Sequence, residues 1–581
     1  MTIFRIHCLF FPPGQKTGTT GLFDRDMLKP EYRNGKHQKH TKRRIREDKM
    51  KKRMITWLLL FAFVFVGGCA GQGPAASGGG NKDGIVVSVG TTIFDESLDP
   101  IKGGMSYGYA FTNSALLRVN SDSEYEGDMA TQWTVSDDAL VYTFKLRDGV
   151  KFSDGSEFNA DDVVFTFDTV KANQANNANV DLTKLASAKK TDDSTVVFTL
   201  SEPYSPFLDT VATLGIVPSD GYDSAAFDQK PVGTGPWKVV QYDANQQIIV
   251  EPNEHYYEGP PSIKKVTLVY MDAEAALAAA KSGQLDIVMV GANYASETVS
   301  GMHIQPFETM DIRMVSLPVG SKRVVKNAEG ADVTVGNAVT SDINVRKALA
   351  IGIDRKAIIQ DAFNGVGKPA NGFTGNLVWA NQETYTDNRK DEAAKVLESA
   401  GWVDTDGNGV REKNGVPCQF TVYAPGSDND RFLLASAVAE DAAKFGVKID
   451  VKTATWDEVG TLQYTNGIVW GWGQYNPTVI YSLFHSSSFL NGYNNVVGYH
   501  NSTADASMAK ALSANSQAGA IAAWKQAQAT ANADYPYLYL VNIEHCYFVS
   551  DSLDVSLGTQ IAHPHGHGSP IICNMKDWTL K

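Results

Sequence analysis

The pattern of apolar residues between positions 136 and 170 constrains the fold most, because its period changes within one short segment. Val141–Leu146 reads Val-Tyr-Thr-Phe-Lys-Leu, an alternation with period two that is typical of a strand. Arg147-Asp148-Gly149 supplies a hairpin turn, after which Val150–Phe152 is predicted to pair back. Asn159 or Asp161 is then placed to cap a helix with apolar residues at helical spacing. The segment therefore predicts a mixed α/β protein.

Later segments continue this mixture of helices and strands. Ser341-Asp342 is predicted to cap a helix, and Asp391 is predicted to open another. Strands are predicted at Cys418–Tyr423 and Val447–Val451, with a helix from about 431 to 444 between them. No sequence repeat of fixed period is present, so solenoids and propellers are excluded.

An apolar run near the N-terminus predicts an export signal. Lys51-Lys52-Arg53 precedes the run Ile55–Val66, which as a helix would be ~18 Å long, too short for a hydrocarbon core of ~30 Å. Gly67 and Gly68 follow, and then Cys69, in a pattern similar to the bacterial lipobox. We interpret residues 50–68 as a lipoprotein signal peptide and Cys69 as the residue that carries lipid. A weak membrane anchor that ends in a chance cysteine is the alternative.

The signal divides the chain into unequal parts. Residues 1–49 are rich in Lys, Arg and His without apolar periodicity, and we interpret them as a non-native or disordered extension. Residues 69–84 are rich in Gly, Ala and Ser and predict a flexible tether. The folded part is expected from residue 85. The net charge of the 581-residue chain is −13, which argues against nucleic-acid binding because that function requires a basic surface.

Six segments, in order along the chain, resemble one family. They read SDDALVYTFKLRDGVKFSDGSEFNADDVVFTFDTV at 136–170, PVGTGPW at 231–237, EPNEHYYEGPP at 251–261, AAAKSGQLDI at 278–287, NVRKALAIGIDRKAII at 344–359 and ESAGWVDTDGNGV at 398–410. This series is similar to the family 5 extracellular solute-binding proteins of bacterial ABC importers, which bind peptides, opines or nickel. The resemblance covers roughly residues 85–581.

The resemblance implies an α/β fold of the periplasmic-binding-protein type, with two lobes around a hinged cleft. Lobe I would combine 85–310, including an extra subdomain, with 541–581, and lobe II would be 311–540. The crossovers near 310 and 540 would act as hinges. The implied function is to capture a solute, most often an oligopeptide, and to deliver it to the permease and ATPase of the importer. We also expect a monomer that lipid on Cys69 anchors to the cell membrane outside the cytoplasm, either in the periplasm or on the outer surface of the cell.

The resemblance also places candidate ligand contacts. The segment 469–477 resembles the ligand-proximal loop of the family, in which dipeptide binders carry an Asp that accepts the α-ammonium group. That slot falls on Gly473, and the family's Asp-Pro step is Asn476-Pro477. A simple dipeptide receptor is therefore disfavoured. The candidate ligand-binding residues are Trp470, Trp472, Tyr475 and Asn476, with Tyr107 and Tyr109 from the first lobe. The alternative for each Trp is a place in the core.

Three histidines near the C-terminus favour a metal ion as the alternative ligand. His563, His565 and His567 alternate, so an extended backbone would place their rings on one face. His485 and His500 flank a loop that is a further candidate for the cleft. The resulting hypothesis is nickel or a nickel chelate as the transported ligand, rather than a cofactor. The alternative is an exposed turn with solvated imidazoles.

Enzyme and disulfide patterns are weak. Gly104–Gly108 matches G-x-S-x-G, but loop residues precede it, whereas a nucleophile elbow follows a strand. The sequence contains no HExxH, CxxC or Walker motif, and we do not expect an enzyme. Export would permit one disulfide among Cys418, Cys546 and Cys573, with 546–573 as the candidate pair.

Overall fold

The computed structural model describes residues 84–581, with gaps at 90–96, 105–109, 121–123, 175–176, 178–179, 374–376, 382–386, 427, 474–475 and 557–569. Several predictions lie outside the described residues: the extension 1–49, the signal 50–68, the tether up to residue 83, the lipid-bearing Cys69, and the site residues Tyr107, Tyr109, Tyr475, His563, His565 and His567.

A mixed sheet of 11 strands runs through the described residues. Its order is Lys448–Ala454, Gln419–Pro425, Gly467–Trp472, Met302–Ser316, Tyr537–Ser550, Ile287–Val290, Ile85–Ser88, Val266–Val269, Gln247–Pro252 and Trp237–Asp243, and Lys368–Pro369 pairs with Tyr537–Ser550 beside this path. Met302–Ser316 and Tyr537–Ser550 are antiparallel, and their register shifts between Glu308 and Ile312. Such an irregularity bends a strand. The two lobes with hinges near 310 and 540 remain a prediction.

A second sheet has four strands, in the order Ala130–Val135, Val141–Leu146, Thr195–Leu200 and Leu185–Asp192. The predicted strand Val141–Leu146 is confirmed. The predicted hairpin after it is wrong, because Val141–Leu146 already has a partner on each edge. Val150–Phe152 instead turns back on itself: Phe158 N donates to Val150 O at 3.0 Å, and Phe152 N to Ser156 O at 2.9 Å.

The helix packed on this small sheet is also confirmed. It spans Ala160–Ala172 and begins with a capping box, in which Asn159 and Asp162 satisfy each other's backbone N–H groups. Asn159, rather than Asp161, is the cap. Phe167 from the helix meets Phe198 from the sheet, with ring centroids 4.5 Å apart, and both side chains are fully buried. Burial of each ring stabilises the fold by about 1.5–3 kcal/mol.

Ten further α-helices and four 3-10 helices lie within the described residues. The α-helices are Phe207–Thr213, Ala273–Lys281, Ile343–Gly352, Arg355–Phe363, Lys390–Ser399, Asn429–Ala443, Trp456–Leu462, Thr478–Phe484, Ser502–Leu512 and Gln517–Asn532, and the 3-10 helices are Pro100–Lys102, Ala292–Tyr294, Ser486–Ser488 and Pro570–Asp577. Short antiparallel pairs complete the structure: Leu117–Val119 with Tyr125–Gly127, Arg323–Lys326 with Asp332–Val335, Glu412–Lys413 with Val416–Pro417, and Leu553–Asp554 with Thr579–Leu580.

Most predicted elements after residue 340 form within two or three residues of their expected bounds. Asp342 caps Ile343–Gly352 by accepting from Asn344 N. The predicted strands form as Gln419–Pro425 and Lys448–Ala454 and pair in parallel. The helix between them, Asn429–Ala443, supplies the crossover that a parallel pair requires. The helix assigned to Asp391 begins one residue earlier, and its N-cap position, Arg389, makes no side-chain cap.

The largest apolar core joins residues on both sides of the predicted lobe boundary. Phe144 and Phe207 come from the first part of the chain, and Ile312, Trp470 and Trp524 from the second, and all five are buried in one cluster.

Within the described residues, no helix combines the length and hydropathy needed to cross a bilayer.

The candidate disulfide between Cys546 and Cys573, which the sequence left open, is not formed. Cys546 and Cys418 are buried thiols. Burial raises the pKa of Cys418 to about 12 and that of Cys546 to about 11. Both groups are therefore protonated and unreactive at neutral pH.

Candidate functional site

Four aromatic side chains meet where the strand Gly467–Trp472 ends, and we call them the aromatic cluster: Trp456, Trp470, Trp472 and Tyr493. Trp470 lies at the centre, with its ring centroid 6.5 Å from Trp472, 6.1 Å from Trp456 and 5.6 Å from Tyr493. Residues two apart on a strand share a face, which places Trp470 and Trp472 together. The structure thus brings these two predicted site residues together.

The remaining members of the aromatic cluster were not predicted from the sequence. Trp456 opens the helix Trp456–Leu462, whose start is fixed by a capping box between Thr455 and Glu458. Tyr493 lies in a turn, and its hydroxyl donates to Trp456 O at 3.4 Å. The capping pattern at Thr455 is visible in the sequence, but no spacing links positions 456 and 493 to 470.

Two indole N–H groups of the aromatic cluster, those of Trp470 and Trp472, have no hydrogen-bond acceptor among the described residues. Trp470 is 4% exposed, and Trp472 is half-buried. The Nε1 atoms of both residues are buried and donate to no acceptor among the described residues. An unpaired buried donor costs about 1–3 kcal/mol. A ligand carbonyl or carboxylate that reached these atoms would remove that cost. The deeper burial of Trp470 fits the core alternative better, so Trp472 is the stronger candidate for ligand contact.

Gly473 ends this strand at a position with no room for a side chain. A Cβ atom there would lie 2.7 Å from the Cα of Asp311 and 2.8 Å from its backbone N. The slot that holds an ammonium-binding Asp in the resembled dipeptide binders is therefore closed by the neighbouring strand. The side chain of Asn476 already forms a local hydrogen bond, because its Oδ1 accepts from Thr478 N at 2.9 Å.

A buried charge network lies beside the aromatic cluster. Asp311 and Arg313 form an ion pair, and the side chain of Arg313 lies opposite Gly471. Arg431 donates from Nε to Asp428 at 2.9 Å and from Nη1 to Val469 O at 3.1 Å. Burial is the main cause that lowers the pKa of Arg431. The Arg431 guanidinium also lies over the Trp456 ring, 5.5 Å from its centroid, so the charge network contacts the aromatic cluster.

His485 and His500 do not join a metal-binding group with any other residue that the structure describes. The His485 ring stacks on Tyr481 at 4.0 Å, and burial lowers its pKa. Its Nδ1 accepts from Ser487 N at 3.1 Å, so the proton of the neutral ring lies on Nε2, 4.0 Å from Asp505. His500 is exposed.

Within the described ranges, the one group with metal-ligand spacing is Asp404, Asp406 and Glu412. This group lies in a loop of Asx turns, in which Asp404 accepts from the backbone N of Gly407 and Gly409 at 2.9 and 3.0 Å. Glu412 accepts from Thr405 N at 2.8 Å. These hydrogen bonds show that the acidic side chains stabilise the turns of the loop.

Comparison with known proteins agrees with this architecture. The model for the bacterial extracellular solute-binding proteins, family 5 middle region, matches residues 124–493. Protein XP55 of Streptomyces lividans is 30% identical over 505 residues, which are 85% of this chain and 90% of that protein. The oligopeptide-binding protein AppA of Bacillus subtilis is 27% identical over 84% of this chain and 92% of its own.

Solved structures match the fold over nearly the whole described chain. AppA from Bacillus subtilis, in complex with a nonapeptide, has a TM-score of 0.61 at 24% identity and covers 86% of this chain and 98% of its own. NikZ from Campylobacter jejuni, in complex with Ni(L-His), has a TM-score of 0.66 at 23% identity. The match covers 86% of this chain and 99% of NikZ. The chain belongs to the family 5 bacterial extracellular solute-binding proteins. The expected periplasmic-binding-protein fold is confirmed.

Proposed function

We propose that the protein is the substrate-binding lipoprotein of an ABC importer and that its ligand is an oligopeptide. The observation that carries the peptide assignment is the pair of unpaired indole donors in the aromatic cluster, beside a loop without a charged anchor. A peptide of several residues offers backbone carbonyls to such donors and side chains to the rings. It does not need an Asp at position 473 to hold its terminus. AppA, a relative along most of the chain, is named as an oligopeptide-binding protein.

The proposed partners follow from the family. A solute-binding protein of an importer delivers its ligand to a permease that an ATPase drives, and we propose that this protein does so as a monomer. Closure of the predicted lobes would bury the peptide and present the closed form to the permease. Membership of a solute-binding family favours this role over an enzymatic one.

The proposed location is the outer side of the cytoplasmic membrane or the periplasm, with lipid on Cys69. The support is in the sequence alone: a basic segment, a short apolar run and two small residues directly precede Cys69. A diacylated cysteine would hold the protein more firmly than a single chain, because stable anchoring takes two membrane-binding signals.

Nickel bound as a chelate is the second candidate ligand. NikZ, which shares the fold, was solved with Ni(L-His), and this chain carries the 563–567 histidine tract. His485 gives this reading no support, because a metal on Nε2 would force the proton onto Nδ1 and break the hydrogen bond from Ser487. The peptide is therefore the first candidate.

Thermal-shift screening tests the assignment. The purified protein is melted with peptides of three to nine residues, with nickel plus histidine, and with sugars. A ligand at 100-fold excess over its Kd should stabilise the protein by about 2.7 kcal/mol. A shift with peptides supports the proposal, whereas a shift with nickel-histidine alone would overturn the peptide assignment.

A further inference from the structure

A cavity among the described residues is bounded by segments distant in sequence, and Pro477, five residues after Trp472, also lines it. Its volume is about 230 Å³. One side comes from residues 119–142 and 205–209, and the other mainly from residues 378–379 and 514–524. An apolar cavity of ~150 Å³ holds a benzene molecule. This cavity therefore has room for one aromatic ring with a short arm.

The wall of the cavity is aromatic. Trp133, Tyr142, Trp379 and Trp524 line it, and all except the half-buried Trp133 are nearly inaccessible to solvent. Trp524 is 1% exposed, and its Nε1 is a buried donor without an acceptor among the described residues. Rings arranged in this way bind apolar and cationic groups, and the indole is the strongest cation-π partner.

The carboxylate of Asp209 lines this cavity. Asp209 is the only acidic or basic side chain among the described residues that line the cavity, and it is 5% exposed. The Tyr125 hydroxyl donates to its Oδ1 at 2.7 Å. Asp209 forms no ion pair with any residue in the described ranges. Burial raises the pKa of Asp209 to about 7, and the hydrogen bond from Tyr125 opposes that rise.

We propose that this cavity is a ligand site for an ammonium group carried on an apolar body, with the ammonium on Asp209 and the body against Trp133, Trp379 and Trp524. The missing counter-ion of Asp209 would then come from the ligand. A buried carboxylate without a cation is costly, and an ammonium group that pairs with it would offset part of that cost.

The same cavity bridges the two predicted lobes. Beside it, Ser205 donates from its backbone N to Leu512 O at 2.9 Å and from Oγ to Ala511 O at 2.8 Å. Both acceptors are carbonyls at the end of the helix Ser502–Leu512. A ligand between these segments adds contacts to both and stabilises their association by mass action.

The ammonium group has two sources: a small free amine, or a lysine side chain of a bound peptide. Isothermal titration of the full-length protein with benzylamine and benzyl alcohol tests the first. These probes share a ring and differ in charge, so the site requires at least tenfold tighter binding of benzylamine. A pentapeptide with a central lysine, compared with its norleucine counterpart, tests the second. The benzylamine arm is independent of the proposed transport role, and only the peptide arm depends on it.

Asp209→Asn is the matched variant, because the amide oxygen can still accept from Tyr125. It should weaken the amine or the lysine peptide at least tenfold. Asp181→Asn makes the same change on an exposed side chain outside the cavity and should leave binding unchanged. Equal binding of both members of each probe pair would overturn the proposal, and so would binding that Asp209→Asn leaves intact. Loss of benzylamine binding in Trp472→Ala but not in Asp209→Asn would also overturn it, since the amine would then lie at the aromatic cluster.

Discussion

A Cβ atom at Gly473 would lie 2.7 Å from the Cα of Asp311, so the two neighbouring strands leave no space for a side chain directly after the strand Gly467–Trp472. This contact explains, in steric terms, why the charged anchor expected in a dipeptide receptor does not occupy position 473. Under the proposed function, the peptide is recognised by groups that the strand presents, and the indole donors of Trp470 and Trp472 are buried polar atoms on it.

Gly473→Asp should destabilise the protein and should not create a dipeptide site. The new side chain overpacks a buried contact, which costs about 1–3 kcal/mol. Urea denaturation measures the loss, and titration with dialanine measures binding. Gly460→Asp is the control, because a Cβ at Gly460 meets nothing within 4 Å. This variant should change the unfolding free energy of the protein by less than about 0.5 kcal/mol. A Gly473→Asp protein that kept wild-type stability and bound dialanine would contradict the steric argument.

Trp472→Ala and Trp470→Ala should separate binding from packing. Trp470 is 4% exposed at the centre of the aromatic cluster, and its removal should cost about 3–5 kcal/mol of unfolding free energy. Trp472 is half-buried, so its removal should cost less stability but at least about tenfold in peptide affinity. Thermal melts and titrations of both variants provide the comparison. If Trp472→Ala leaves the affinity of every bound ligand within twofold, the cleft assignment is wrong.

The stability of the protein should depend on pH through Asp209. Its pKa is about 7 in the folded protein and about 4 in an unfolded chain. Between these values the folded state binds more protons, so the contribution of Asp209 is present below pH 4 and is lost as the pH rises to 7 and above. Asp209→Asn should remove this loss and gain stability relative to wild type, on the order of 3 kcal/mol, between pH 4.5 and 8.

Urea denaturation of both proteins at pH 4.5, 6 and 8 checks this expectation. The difference between them isolates Asp209 from other groups that titrate in the same window, such as Asp128, whose pKa burial raises to about 6. A difference in unfolding free energy that stays constant with pH would show that Asp209 titrates normally.

Cys69→Ala should release the protein from the membrane. Without the thiol that carries lipid, the exported protein should appear in the medium or the periplasm, whereas the wild type should stay with the membrane fraction. Fractionation after a high-salt wash distinguishes the two, because salt removes electrostatic association but not a lipid anchor. Retention of Cys69→Ala in the washed membrane would disprove the lipid anchor.

Local patterns in the sequence were sufficient for much of the fold. The alternation at Val141–Leu146 and the cap at Asn159 both act within a few residues, and both appear where the sequence places them. The pairing of Val150–Phe152 was mispredicted because the strands that occupy both edges of Val141–Leu146 come from elsewhere in the chain.

The candidate site depended on distant residues and was predicted only in part. Trp470 and Trp472 were predicted from a segment that resembles the family's ligand-proximal loop, and both lie in the strand Gly467–Trp472, whereas Trp456 and Tyr493 join them through tertiary packing. The cavity at Asp209 brings together segments more than 300 residues apart, for which a single sequence contains no signal.

Isothermal titration of the wild type and of His563→Ala/His565→Ala/His567→Ala, with a nonapeptide and with nickel plus histidine, tests the central claim most directly. The triple variant removes three candidate metal ligands and leaves the aromatic cluster intact. We predict that both proteins bind the nonapeptide with micromolar or tighter Kd and equal affinity. Peptide that produces no binding heat, together with nickel-histidine that binds the wild type and is weakened several-fold or more in the triple variant, would contradict the account.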